Sequence, residues 1–184
     1  MASAGFNLPT SAVNNASAGT SAWTNPTFAL TANGQGAQSD TRVGRISNYL
    51  QLTGFGFAIP ANATIDGVIA RIRRAQTLGG VSQTNDYAIQ LIVAGSISGN
   101  NKATGTNWPL SSAYADADYG GASDKWGLAL TPAIVNASNF GLSIMAQGGA
   151  STIGQALVDV AWLQVFYSEP TAAIKMHSYR QRRV

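Results

Sequence analysis

Apolar and polar residues alternate with a period of two along much of the chain, which predicts β-strands. The clearest pair runs from Asn48 to Arg74. Leu50 and Leu52 share one phase, and Phe55, Phe57 and Ile59 share the other. The phase slips at Thr53-Gly54, as a β-bulge would make it. Pro60 ends this strand because it has no N–H for a ladder, and Asn62 to Gly67 supply turn residues. Val68, Ala70 and Ile72 then alternate with Ile69, Arg71 and Arg73. That second strand has a core face and a face ending in guanidinium groups. Further alternation predicts strands through Tyr87, Ile89, Leu91 and Val93, through Trp126, Leu128 and Leu130, and through Phe140, Leu142, Ile144 and Ala146. A last strand covers Leu157 to Tyr167.

Short strands are also expected at Thr27 to Leu30, after an Asn25-Pro26 turn, and at Asp40 to Ile46. Ser98 to Ala122 lacks periodicity and reads as a long loop. Thr131 as N-cap and Pro132 at the first helical position predict one short helix. Roughly seven or eight strands with turn signals between them, and no βαβ rhythm, predict an all-β fold. The expected architecture is an antiparallel β-sandwich, jelly-roll-like, with extended N- and C-terminal arms. The chain divides into an N-terminal arm at 1–21, a sandwich domain at 22–168 and a basic C-terminal arm at 169–184.

Both faces of the last strand are apolar. Asp159, Ala161, Leu163 and Val165 share one face; Val160, Trp162 and Phe166 share the other, with Gln164 between them. Two readings stand. The strand is central and covered by loops, or its second face is a subunit interface anchored by Trp162 and Phe166.

Composition sharpens the interface reading. Charged residues make up 10% of the 184, against about 25% in an average soluble domain. So little charge suggests that much of the surface meets other protein or is covered by Ser, Thr, Asn and Gln. The net charge of +3 is unevenly placed. Lys175, Arg180, Arg182 and Arg183 lie in the last ten residues, leaving seven basic against eight acidic residues and a body of net charge −1. The tail carries the basicity. No basic-then-apolar leader opens the chain, and no run of about 18 apolar residues predicts a membrane span.

Catalytic chemistry finds little to work with. There is no cysteine, hence no disulfide, thiolate nucleophile or cysteine-based metal site. The one histidine, His177, sits in the basic tail, a poor platform for a catalytic triad. Asp116 and Asp118 form the one local acidic pair and could offer oxygens to Ca²⁺, but the EF-hand pattern is absent. A solvated loop with Asx-turns is the preferred reading. Neither a catalytic nor a metal site, and no cofactor, is expected. Trp108, Tyr114, Tyr119 and Trp126 cluster around the long loop and could stack on sugar rings. The favoured alternative has Trp108 and Trp126 closing one end of the sandwich. Arg71, Arg73 and Arg74 form a basic stripe without interleaved aromatics, which points to cross-strand polar pairs or an acidic protein surface before nucleic acid.

Several blocks occur in a fixed order: SNYLQLTGFGFAIPANATIDGVIARIRR, NNKATGTNWP, YGGASDKWG, LTPAIVNASNFGLSIMAQ and VDVAWLQVFY. Together they resemble a family of tailed-phage virion proteins. That family shows a "YL..TGFGF.IP..A.I.GI.V.I.R" block, a "K..G..WP" turn, a "YGG..D.WG" turn, a "NFG....A" strand and a closing "VD...V.VYY" strand. The resemblance spans Ser47 to Tyr167. The chain departs from it at Trp162, where a polar residue is common, and in its basic C-terminal extension.

The resemblance implies a non-enzymatic β-sandwich component of a phage particle. The expected role is a capsid decoration (cement) protein that bridges and stabilises major capsid protein subunits. Its expected location is the capsid surface of the virion, reached through the host cytoplasm during assembly. The expected partners are the major capsid protein and other copies of the chain, as a homotrimer; no small-molecule substrate, membrane or nucleic-acid partner is expected. The predicted interface residues are Val160, Trp162, Phe166, Arg71 and Arg73, with Lys175, Arg180, Arg182 and Arg183 in the tail running along a neighbouring subunit. The alternatives are a tail, baseplate or fibre component, and a carbohydrate-binding module using the Trp108 to Trp126 loop for host attachment.

Overall fold

A computed structural model describes residues 1–77, 83–149 and 154–170. They form two antiparallel sheets packed face to face. The strands are β1 (Ala2–Asn7), β2 (Ser11–Asn15), β3 (Trp23–Thr24), β4 (Ala37–Asp40), β5 (Tyr49–Thr53) and β6 (Thr64–Gln76), then β7 (Asn85–Val93), β8 (Ser96–Ser98), β9 (Ala115–Gly121), β10 (Gly141–Gln147) and β11 (Gln155–Ser168). The six-stranded sheet has the order β3-β4-β11-β6-β9, with β1 also paired to β11; the five-stranded sheet has the order β2-β5-β10-β7-β8. Apart from the β3–β4 and β7–β8 neighbours, every connection crosses from one sheet to the other. The all-β antiparallel sandwich expected from the alternation is what the chain forms.

The core follows the period-2 phases. Val68, Ala70 and Ile72 of β6 lie opposite Val165, Leu163 and Ala161 of β11 and are fully buried with them. Leu50, Leu52, Ile89, Leu91, Leu142 and Ile144 face them from the second sheet. Thr131 caps helix α1 (Pro132–Val135), its hydroxyl accepting from the Ile134 N–H at 3.3 Å. Asn136, just past that helix, then grips Ile59 on both sides: its Oδ1 accepts from the Ile59 N–H at 2.9 Å and its Nδ2 donates to the Ile59 carbonyl at 2.8 Å. A side-chain amide thus stands in for a neighbouring strand.

Several local expectations fail, each for a physical reason. Phe55, Phe57 and Ile59 are buried as expected, but no ladder runs through them: β5 stops at Thr53, and Gly54 and Gly56 take left-handed φ values of 76° and 64°. Thr27 to Leu30 is not a strand. Pro26–Ala29 forms a 3₁₀ turn, with Pro26 preset at its start. The strand expected at Asp40 to Ile46 lies earlier, at Ala37–Asp40, where it pairs with Gln155 to Val158. Trp126, Leu128 and Leu130 lie outside any strand; Trp126 has φ 58° and is held by its own hydrogen bonds. The segment read as an N-terminal arm forms β1 on the six-stranded sheet and β2 on the five-stranded sheet. Backbone groups make those ladders, so small side chains without periodicity suffice. Of the C-terminal arm, residues 171–184 lie outside the described residues.

Candidate protein-interaction face

The outward face of the six-stranded sheet brings together most of the predicted interface residues that the structure describes. Arg71 and Arg73 are two apart on β6, so both point away from the core. Their partners come from β9, where register sets Asp118 opposite Arg71 and Asp116 opposite Arg73. Each pair is a two-point fork. Arg71 donates from Nε and Nη2 to the two Asp118 oxygens at 2.7 Å each, and Arg73 donates to Asp116 at 2.7 and 3.1 Å. The hydrogen bonds to Asp118 and Asp116 raise the pKa of the respective guanidinium groups. From Ala115 onward the AYADADYGG stretch is therefore a strand and not a solvated loop, and its two carboxylates are held by arginine.

Aromatic rings flank these forks on the other side. The Arg71 guanidinium carbon sits 4.3 Å from the Phe6 ring centroid, and that of Arg73 sits 5.4 Å from Trp162. β11 carries Trp162 opposite Arg71 and Phe166 opposite Gly67, both half-buried. β1 brings Phe6 to the same face with 36% of its surface exposed. The result is a half-open layer of rings, guanidinium groups and carboxylates with two positive and two negative charges. Aromatic and arginine side chains in this state are the residues that anchor protein interfaces. Phe6 was not legible as part of this layer, because β1 gives no strand signal in the sequence.

Val160 does not belong to this surface. It is 0% exposed and forms a backbone bridge to Leu30, and the 3₁₀ turn at Pro26–Ala29 packs beside β11. A register shift between Val158 and Val160 puts Asp159 at a bulge, where its Oδ1 accepts from the backbone N–H groups of Asn33 and Gly34 at 3.1 and 2.8 Å. The two readings of β11 therefore divide along its length: the Val160 end is covered by a loop, and the Trp162 to Phe166 end is open. Lys175, Arg180, Arg182, Arg183 and His177 lie outside the described residues.

The third arginine of the basic stripe turns inward. Arg74 shares the phase of Val68, Ala70 and Ile72, and it forms a buried ion pair with Asp86 of β7. Asp86 also accepts from Trp108 Nε1 at 2.8 Å, from the Tyr119 hydroxyl at 3.0 Å, and from the Thr104 N–H and hydroxyl at 3.0 and 3.1 Å. Burial, and then the neighbouring Asp86 charge, raise the Tyr119 pKa above its ordinary value. Gln76 extends the network, donating to the Trp108 carbonyl at 2.6 Å and accepting from the Thr84 N–H at 2.7 Å. This centre is saturated with internal partners and ties β6, β7, β9 and the long loop together.

No family model, curated protein or solved structure matches the chain.

The second aromatic cluster also resolves by burial. Trp108 is 1% exposed and Trp126 0%. Trp126 Nε1 donates to the Val68 carbonyl at 2.9 Å, and its own N–H donates to Asp124 at 2.8 Å. Neither ring offers a face to a sugar. Both are buried, but they do not close one end together: Trp126 seats beside Val68 and Gly120, and Trp108 beside Arg74 and Gln76, toward opposite ends of β6. Half-open aromatic rings do lie on the outward face of the six-stranded sheet, while Tyr87 of β7 is 45% exposed on the other sheet.

Proposed function

We propose that the chain is a non-enzymatic structural protein of a tailed-phage particle, and that it decorates the capsid surface by bridging major capsid protein subunits. The observation that carries this reading is the outward face of the six-stranded sheet. There Phe6, Trp162 and Phe166 stay half-open among the Arg71–Asp118 and Arg73–Asp116 forks. A face that is apolar at its rings yet carries balanced charge suits a protein partner. It suits nucleic acid poorly, because both guanidinium groups already hold carboxylates. The ordered motifs between Ser47 and Tyr167 supply the particle context, and the low charge content agrees with a surface meant for other protein. The protein would reach the capsid surface after synthesis in the host cytoplasm.

The deciding experiment separates heads from tails in purified particles and quantifies the chain in each fraction. A decoration protein is expected on heads, in numbers comparable with the major capsid protein. Recovery on tails alone overturns the decoration role in favour of a tail or baseplate component. Trp162→Ala is expected to lower head occupancy while leaving the fold intact.

A further inference from the structure

Open sheet edges invite pairing with other chains, and folded proteins protect them with charge, proline, bulges or brevity. The edges of this sandwich differ in that respect. β9 carries the carboxylates of Asp116 and Asp118. β8 has three residues and β3 two. β1 breaks its register between Ala4 and Asn7. Among the described edges, β2 has none of these protections beyond its modest length, although the 3₁₀ turn Pro26–Ala29 packs against it. Its five residues pair with β5 in unbroken register from Ser11↔Thr53 to Asn15↔Tyr49. Among the described residues, no strand pairs with its other side.

The chemistry of β2 adds a second observation. The first charged side chain in the sequence is Asp40, so β2 lies in a stretch free of charge. Across the ladder, Val13 is aligned with Gln51, Ser143 and Gln90, and this row is uncharged too. The two asparagines of β2 are engaged within the chain: Asn14 accepts from the Trp23 N–H at 2.8 Å, and Asn15 donates to Gln51 at 3.2 Å. Val13, at the centre of the strand, is left 49% exposed.

We propose that β2 is a self-association edge, where it pairs antiparallel with β2 of a second copy about a two-fold axis through Val13. In such a contact the same patch meets itself. Any charged side chain near the axis would face its own copy, so an uncharged strand fits a second copy better than it fits a partner chosen by charge. The register is self-complementary. Val13 meets Val13 of the second copy, and Ser11 meets Asn15, so apolar lies against apolar and polar against polar on the outer face. Joining the edges makes one continuous sheet from the two five-stranded ones. The contact is independent of the capsid reading and produces a dimer instead of the homotrimer expected from the sequence.

Sedimentation of the full chain over a concentration series tests this, with Val13→Lys and Val13→Cys as variants. Val13 is half-exposed on an outer face, so lysine there is compatible with folding. It would set two ammonium groups against each other at the axis. The expected result is a wild-type dimer whose Kd rises at least about tenfold in Val13→Lys. Because the chain has no cysteine, Val13→Cys should form a disulfide-linked dimer under mild oxidation, much faster than a Val43→Cys control in an exposed loop. A wild-type monomer or trimer at all concentrations overturns the proposal. So does a dimer indifferent to Val13→Lys, or a Val13→Cys chain that cross-links no faster than the control.

Discussion

Arg74 and Asp86 form an ion pair with both side chains withdrawn from solvent, one on β6 and one on β7, so the pair ties the two sheets together. Taking two charges out of water is costly, and the pair persists because Trp108, Tyr119 and Thr104 satisfy the remaining oxygens. Removing one charge strands the other. Asp86→Asn is therefore expected to cost about 3–5 kcal/mol of stability. Urea unfolding followed by tryptophan fluorescence reads this directly, since Trp108 donates to the altered group. A change within about 0.5 kcal/mol, the range of neutral surface substitutions, would show that the network does not hold the sheets.

The same centre sets the alkaline limit. Burial raises the Tyr119 pKa above its ordinary value of 10.0, and the Asp86 charge pushes the same way. A group whose folded pKa lies above its unfolded pKa contributes stability that is complete below the unfolded value and is lost as pH rises beyond it. Stability should thus be flat up to about pH 10 and fall above it. Tyr119→Phe is expected to lower stability near neutrality, through lost hydrogen bonds to Asp86, yet to flatten the alkaline slope. Unfolding free energies measured at several values from pH 8 to 11 check both effects. An unchanged alkaline slope in the variant would assign the limit to other tyrosines.

Acid acts through different groups. The Arg42 hydrogen bond lowers the Asp40 pKa. At Asp124 burial opposes the shift, but the Lys102 and Trp126 hydrogen bonds outweigh it and lower the pKa. Depressed carboxylate values add stability above the unfolded value of 3.8, lost as pH falls through the folded values. Both side chains are about a third exposed, so each contribution is small. The expected acid transition is shallow and lies below about pH 4, and Asp124→Asn should make it shallower still. Thermal melts between pH 2 and 7 report it.

Strand phase was the legible part of the sequence. Val68, Ala70 and Ile72 announce a core face, and the same count carried two residues further already places Arg74 inside. Asp86 could not be read this way. The β7 register shifts opposite Met145 and Ala146, which brings Asp86 onto the core side where simple alternation from Ile92 and Gln90 would put it outside. β1 and β2 were illegible because backbone pairing with β11 and β5 forms them without an apolar rhythm. The candidate face was half legible: Arg71, Arg73, Trp162 and Phe166 follow from alternation. The pairing with Asp116 and Asp118 requires the β6–β9 register, which a sequence with a long unpatterned stretch between them does not reveal.

The Tyr119-Gly120-Gly121 end of β9 is constrained by its neighbours. Gly120 has φ 81°, a region that side chains other than glycine's strain to enter. A Cβ there would overlap the Val68 carbonyl oxygen and lie 2.5 Å from Trp126 Nε1. Those two atoms form the hydrogen bond that seats Trp126. Gly120→Ala is expected to cost more than about 2 kcal/mol, combining backbone strain with the displaced tryptophan. Gly34→Ala shares a positive φ but meets open space, so it should cost only the strain. A lower chemical-denaturation midpoint for Gly120→Ala than for Gly34→Ala is the expected order.

The arginine forks separate stability from binding. Each lies at a sheet surface where both side chains are about a third or more exposed. Solvent screens such pairs to about 0–1 kcal/mol, so Arg71→Gln or Arg73→Gln should barely move the unfolding midpoint. If the face docks a protein, the forks are preformed there, and docking would exclude the water that screens them. Loss of one arginine then leaves a carboxylate unpaired at the contact, a change that costs about 2–5 kcal/mol in a buried interface. The double variant is therefore expected to fold normally and to bind purified capsids at least about tenfold more weakly. Its binding should regain strength when Asp116 and Asp118 are also made asparagine, since no charge is then stranded. Equal losses in stability and binding, or no rescue, would place the forks in the fold alone.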